Sequence, residues 1–113
     1  MGKVILLNAL VTSSIMPIQI KTIPVTLDFV RFYIKDKDVI SYIGHESTAA
    51  LLTQLLGKPI PSSRSMYEPR PGETAVIAKL KKRLEKPEDL KDIKESDIEF
   101  FLADYETYEG FWK

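Results

Sequence analysis

Val39-Ile40-Ser41-Tyr42-Ile43-Gly44-His45-Glu46-Ser47-Thr48-Ala49-Ala50-Leu51-Leu52-Thr53-Gln54-Leu55-Leu56-Gly57 is the stretch whose reading decides the fold. Val39 to Ile43 is rich in β-branched and aromatic residues and reads as a short strand. From Ala49 to Leu56 the pattern changes, and Leu51, Leu52, Leu55 and Leu56 recur at helical spacing. Gly57 stands where a left-handed C-cap belongs, and Pro59 blocks continuation. A strand feeding directly into a helix implies a sheet covered by helices.

The junction Ile43 to Thr48 also holds the only histidine of the chain. Ser47 or Glu46 supplies the helix cap in this reading. A helix start leaves backbone N–H groups without intrahelical partners and carries a partial positive charge, a seat for phosphate. An imidazole beside that seat can hold or release a proton near neutral pH. Two readings stand on these residues alone. In one, Ser47 caps and His45 packs; in the other, His45 does chemistry on an anion held at the helix start.

The bounds are narrow. The chain has 113 residues, enough for one domain with a modest core that a twofold dimer would enlarge. Lys and Arg number 16 and Asp and Glu 16, and zero net charge argues against broad duplex DNA binding. It leaves room for a local basic pocket. There is no cysteine, which excludes disulfides, thiol nucleophiles and Cys-based zinc sites. One histidine excludes a multi-histidine metal centre within the chain. No window is long and apolar enough to span a bilayer. Lys3 before Val4 to Leu7, with Ser13 and Ser14 after, has the outline of a signal peptide. The run is short and broken by Asn8, so the expectation is a cytoplasmic protein whose first segment is a core strand.

Outward from the junction, Lys3 to Ala9 reads as a buried strand. Asn8 at its end either caps a turn or faces a ligand. A hydroxyl-rich loop, Thr12-Ser13-Ser14, closes at Met16-Pro17. Thr22 to Leu27 reads as a strand that Pro24 places at an edge. Asp28 caps a short helix through about Lys35, with Phe29, Phe32 and Tyr33 on one face. Lys35 to Asp38 is a solvated turn. Arg64 to Glu68 and Thr74 to Lys82 read as hairpin partners across Arg70-Pro71-Gly72-Glu73, where Pro and Gly suit a type II turn. Along the second strand Val76, Ala78 and Leu80 face one way and Ile77, Lys79, Lys81 and Arg83 the other, making one face basic. Glu85 to Asp97 reads as a charged mobile loop, a lid or a plain surface connection. Ile98 to Tyr108 closes the pattern as a strand, and Trp112 packs on the core or in an interface. The fold class is α/β or α+β, a mixed sheet of about five strands flanked by two or three helices in a single domain, residues 1–113.

Ile43-Gly44-His45-Glu46-Ser47-Thr48, the Leu-rich helix ending at Gly57, Arg64 after a short loop, and Arg83-Leu84 after a long strand together resemble the ring nucleases of archaeal viruses, phages and some bacteria. The opening Lys3-Val4-Ile5-Leu6-Leu7-Asn8-Ala9 is similar too, so the resemblance covers nearly the whole chain. It implies a metal-independent, cofactor-free phosphodiesterase that degrades cyclic tetra-adenylate, the second messenger of type III CRISPR complexes. The viral members act as anti-CRISPR proteins. It further implies a homodimer with the ring across its interface, and no membrane partner. His45 matches the catalytic histidine. Asn8, Gly44, Ser47, Thr48, Arg64 and Arg83 match ligand-contacting positions, and Lys79 falls where other members carry a polar residue such as Gln. Two departures stand out. The acidic residue that usually follows Arg83 by three positions is Lys86 here, leaving Glu85 or Glu88 as the supporting carboxylate. The loop Val11 to Met16 also differs from the viral pattern. The same basic face and helix start would equally serve a non-catalytic module that captures cyclic oligonucleotides or single-stranded nucleic acid.

Overall fold

Val4, Ile5, Leu6 and Leu7 form a strand buried on both faces, β1 (Gly2–Leu7), as a continuous apolar run should. The computed structural model describes residues 2–81 and 97–108. In it β1 lies between β3 (Lys37–Ser41) and β4 (Thr74–Leu80) and runs parallel to both. Two further strands, β2 (Ile18–Val25) and β5 (Ile98–Thr107), pair antiparallel, and β5 is antiparallel to β4. The order is β2-β5-β4-β1-β3. With α1 (Leu27–Ile34) and α2 (Glu46–Leu56), this is a mixed five-stranded sheet with two helices, an α+β fold. No helix among the described residues is long and apolar enough to cross a membrane.

One face of the sheet carries both helices. Val4, Leu6, Val76, Ala78 and Phe100 meet Val30 and Ile34 of α1 and Leu51, Leu52 and Leu56 of α2. Each fully buried leucine of α2 contributes about 1.5–3 kcal/mol relative to exposure. The opposite face, with Ile5, Leu7, Ala75, Ile77, Ala103 and Tyr105, is covered in part by Tyr67 and Val11 from loops.

Several boundaries and faces differ from the sequence reading, each for a physical reason. β1 ends at Leu7, so Asn8 and Ala9 lie beyond it. β2 starts at Ile18 and ends at Val25, because its whole length pairs with β5, from Ile18–Thr107 to Val25–Phe100. It is an edge strand, as Pro24 requires. β3 begins at Lys37, since the parallel register Gly2–Lys37 to Leu6–Ser41 recruits residues assigned to a turn. Tyr42 still donates to the Leu6 carbonyl at 3.0 Å.

α1 is capped by Thr26, whose Oγ1 accepts from Phe29 N at 3.1 Å, and not by Asp28. Its buried stripe is Leu27, Val30 and Ile34; Phe32 is 78% exposed and Phe29 stacks on Tyr33 at 5.8 Å. The expected hairpin is absent. Gly72 does take φ 92° and Glu73 N donates to Arg70 O, so the turn exists. Both edges of β4 are already occupied, by β1 and β5, leaving Arg64 to Glu68 as irregular backbone. β4 ends at Leu80, and β5 stops one residue before Tyr108. The basic continuation to Arg83, the loop begun at Glu85, and Lys86, Glu88 and Trp112 lie outside the described residues.

Candidate active site at the carboxyl end of the parallel strands

Since β1, β3 and β4 run parallel, their carboxyl ends share one edge of the sheet. Asn8 follows β1, Tyr42 to His45 follow β3, and Lys79 nearly closes β4. β3 and β4 flank β1 on opposite sides, so the chain diverges there, the arrangement that leaves a crevice at strand ends.

His45 is the N-cap residue of α2, in extended conformation at φ −105° and ψ 128°. Its exposed side chain makes no capping hydrogen bond, and neither do Ser47 and Glu46. The boundary explains this correction: with the cap at His45, Glu46 and Ser47 sit inside the first turn. The helix start is left without a side-chain cap. Ser63 N donates to Ile43 O at 2.7 Å, which pins the following loop against the junction and delivers Arg64 to it. The result is an open cavity of about 640 Å³ lined by Gly44, His45, Glu46, Ser47, Ala50, Ser62, Ser63 and Arg64, so the Glu46 carboxylate shares it with the imidazole and the guanidinium. A Cβ built on Gly44 would meet only Ser63 O, at 3.8 Å, so this glycine is not sterically required.

Thr48 does not reach that cavity. It is buried, at the head of the stripe it forms with Leu51, Leu52, Leu55 and Leu56. Its spacing from Leu51 and Leu52 was the available signal. Only its backbone N–H remains a candidate contact.

Asn8 and Lys79 line a second cavity of about 350 Å³ with Leu10, Thr22, Ile77 and Phe101. The sheet causes this division. Lys79 shares the helix-free face with Ile77, whereas α2 packs on the other. Sequence reasoning missed Ser62, Ser63, Thr22 and Phe101. Thr22 was legible as the next residue on the β2 face of Ile18 and Ile20. A third cavity, about 750 Å³ and lined by Val25, Leu27, Phe100 and Phe101 among others, contains none of the expected residues.

Electrostatically, the edge is rich in unpaired donors, with the Glu46 carboxylate in the first turn of α2 beside them. Among the described residues, the side chains of Asn8, His45, Ser47, Arg64 and Lys79 form no hydrogen bond or ion pair. Lys81, beside them, is paired with Glu99 at 3.4 Å. The loops behind the two cavities are tied together by Glu68. Its Oε1 accepts from Ser13 Oγ and Ser14 N, and its Oε2 from Ser14 Oγ, each at 2.9 Å. The Ser13 hydroxyl, with Ser14 assisting, holds the Glu68 carboxyl below the usual carboxylate range. Beneath, Tyr67 donates to Glu73 at 2.8 Å, and burial pushes its own ionisation far above the ordinary tyrosine range. Among the described residues no three His, Asp or Glu side chains converge as a metal cluster.

An unpaired imidazole, a guanidinium and an uncapped helix start facing one open cavity can hold an anionic group and move a proton at it. The sequence profile of the family described as STIV B116-like matches residues 4–105. B116 of Sulfolobus turreted icosahedral virus is a similar solved structure. It is 25% identical with a TM-score of 0.68, over 91% of this chain and 99% of that one. No curated protein matches.

Proposed function

Starting from the fact that this chain belongs to the STIV B116-like family, we propose that it is a metal-independent ring nuclease that cuts cyclic tetra-adenylate into linear di-adenylate. As such it would silence type III CRISPR signalling as a viral protein in the host cytoplasm. The observation that carries the reading is the convergence of His45 and Arg64 on the uncapped start of α2. The likeness to a viral protein and the motif from Ile43 to Thr48 support it.

RNA supplies its own nucleophile. The ribose 2′-OH gives up its proton to solvent water and attacks the adjacent phosphorus, forming a 2′,3′-cyclic phosphate and expelling the 5′-oxygen. His45 protonates that oxygen as general acid, a contribution of about 10²–10⁴-fold. The first-turn N–H groups of α2 and Arg64 hold the charge that builds on the phosphoryl oxygens. Arg83 and a carboxylate from Glu85 or Glu88 join them on the strength of the sequence resemblance. Alignment of the 2′-OH with the scissile bond supplies much of the remaining acceleration. In a twofold dimer two such sites face a ring with a matching twofold axis, so two cuts release two equal halves.

A non-catalytic binding module is the second reading. The separate cavity at Asn8 and Lys79 favours it, because capture alone would use those contacts without His45. Incubation with cyclic tetra-adenylate, with and without EDTA, followed by chromatography of the products separates the two. Linear di-adenylate in equal amounts under both conditions is the expected result. An intact but protein-bound ring would leave the binding module standing.

A further inference from the structure

We infer that Glu46 is the general base of the site: its carboxylate takes the proton of the attacking 2′-OH in place of solvent water. The inference deepens the nuclease reading and rests on it. It gives a catalytic role to a carboxylate that the family resemblance leaves unassigned and that does not cap α2.

An alcohol is a poor nucleophile until its proton leaves, and water accepts that proton far less readily than a carboxylate does. The 2′-oxygen enters and the 5′-oxygen leaves on opposite sides of phosphorus. His45 delivers its proton on the leaving side, so it cannot relieve the entering oxygen in the same step. Of the other side chains lining the cavity, Ser47, Ser62 and Ser63 carry hydroxyls and Arg64 a guanidinium, none of which accepts a proton near neutral pH. Glu46 alone among them presents a carboxylate.

Its placement fits the task. His45 ends the extended segment at φ −105° and ψ 128°, and Glu46 is the first residue of α2. The backbone changes conformation between them, and both side chains line one cavity. A volume of about 640 Å³ has room for a phosphodiester and its flanking riboses. Glu46 is exposed and, among the described residues, forms no hydrogen bond or ion pair. Arg64, the cation on the facing loop, is therefore left for the phosphoryl oxygens. A carboxylate repels a phosphate bound beside it, a cost in affinity that a purely capturing site would avoid.

In the step so completed, the Glu46 carboxylate takes the 2′-OH proton as the bond from the 2′-oxygen to phosphorus forms. The bond from phosphorus to the 5′-oxygen breaks as His45 protonates that oxygen. Proton exchange with water then returns Glu46 to its carboxylate and His45 to its imidazolium.

The test is single-turnover cleavage of cyclic tetra-adenylate by full-length wild type, Glu46→Gln and His45→Ala, followed across pH, with affinities measured on the same samples. Gln keeps the shape of Glu and removes its charge and basicity. A carboxylate in the first turn also favours a helix, so loss of rate alone would not separate the two roles. Glu46→Gln is expected to cut about 10²–10⁴-fold more slowly while binding the ring at least as tightly. The wild-type rate should fall on both sides of an optimum, and the acid-side fall should vanish in Glu46→Gln. A ring with sulfur in place of each bridging 5′-oxygen separates base from acid, because a thiolate leaves without being protonated. On that substrate His45→Ala should recover most of the wild-type rate and Glu46→Gln should stay slow. Wild-type cleavage by Glu46→Gln, a lowered rate that keeps the acid-side fall, or its recovery on the sulfur substrate would overturn the base and leave the nuclease reading intact. No cleavage by the wild type would overturn the nuclease reading itself, and the base with it.

Discussion

At the amino end of β3, Lys37 donates to the Tyr33 carbonyl at 2.8 Å and lies 4.1 Å from the centre of its ring. Beside it, Lys58 donates to the carbonyls of Ile34 and Lys37. At the carboxyl end of the same strand, His45, Ser47 and Arg64 have no partner among the described residues, and α2 starts without a side-chain cap. The first arrangement satisfies the last carbonyls of α1 and ties helix to sheet. The second forgoes about 0.5–2 kcal/mol that a capping side chain would supply. Stability is therefore concentrated at one end of the strand. The other end keeps its donors for a ligand, the usual cost of a functional site.

Disturbing the committed end should have the largest effect on stability. Lys58→Ala strands two carbonyls and is expected to cost about 1–3 kcal/mol in urea unfolding, with cleavage per folded molecule unchanged. Equal stability in that variant would break the contrast. At the other end the sign should reverse. His45→Asp places a preferred capping residue at the N-cap and is expected to add about 0.5–2 kcal/mol while abolishing turnover. A stabilised and inactive protein sharpens the comparison; a destabilised one shows that His45 packs.

The smallest effect is expected from Glu68, which ties together the loops behind the two cavities. Its carboxyl is held low by Ser13 and Ser14, so its contribution is fully present above the ordinary value of 4.5. That contribution fades as pH falls through the lower folded value. Protection of the Ser14 amide, its exchange measured against the intrinsic rate at each pH, should fall on acidification over that window. In Glu68→Gln the protection should be lower throughout and show no such step, because the amide does not titrate.

The parts of the fold that local chemistry dictates were legible in the sequence. Gly57 takes φ 70° and donates to Thr53 O, the left-handed cap that its place after the leucines implied. Pro24 marks a true edge strand. What long-range pairing decides was hidden. α1 has two apolar stripes, Leu27-Val30-Ile34 and Phe29-Phe32-Tyr33, and only the fit against the sheet and α2 selects the aliphatic one. The turn at Arg70 to Glu73 was readable, yet no local signal says that β1 and β5 have already taken both edges of β4. The site divides likewise. His45 and Arg64 were paired by their distance along a recognisable motif, and they share a cavity. Asn8 and Lys79 lie in another, because their side of the sheet depends on strand order that one sequence does not display.

The central claim is that the uncapped junction at His45 is a site for acid catalysis on a bound phosphodiester. It is tested most directly by single-turnover cleavage of cyclic tetra-adenylate by wild-type and His45→Ala protein, with ligand affinity measured on the same samples. The account predicts cleavage by the wild type, a rate lower by about 10²–10⁴-fold in the variant, and nearly equal affinities. Undiminished product formation by His45→Ala, or no cleavage by the wild type, would contradict it.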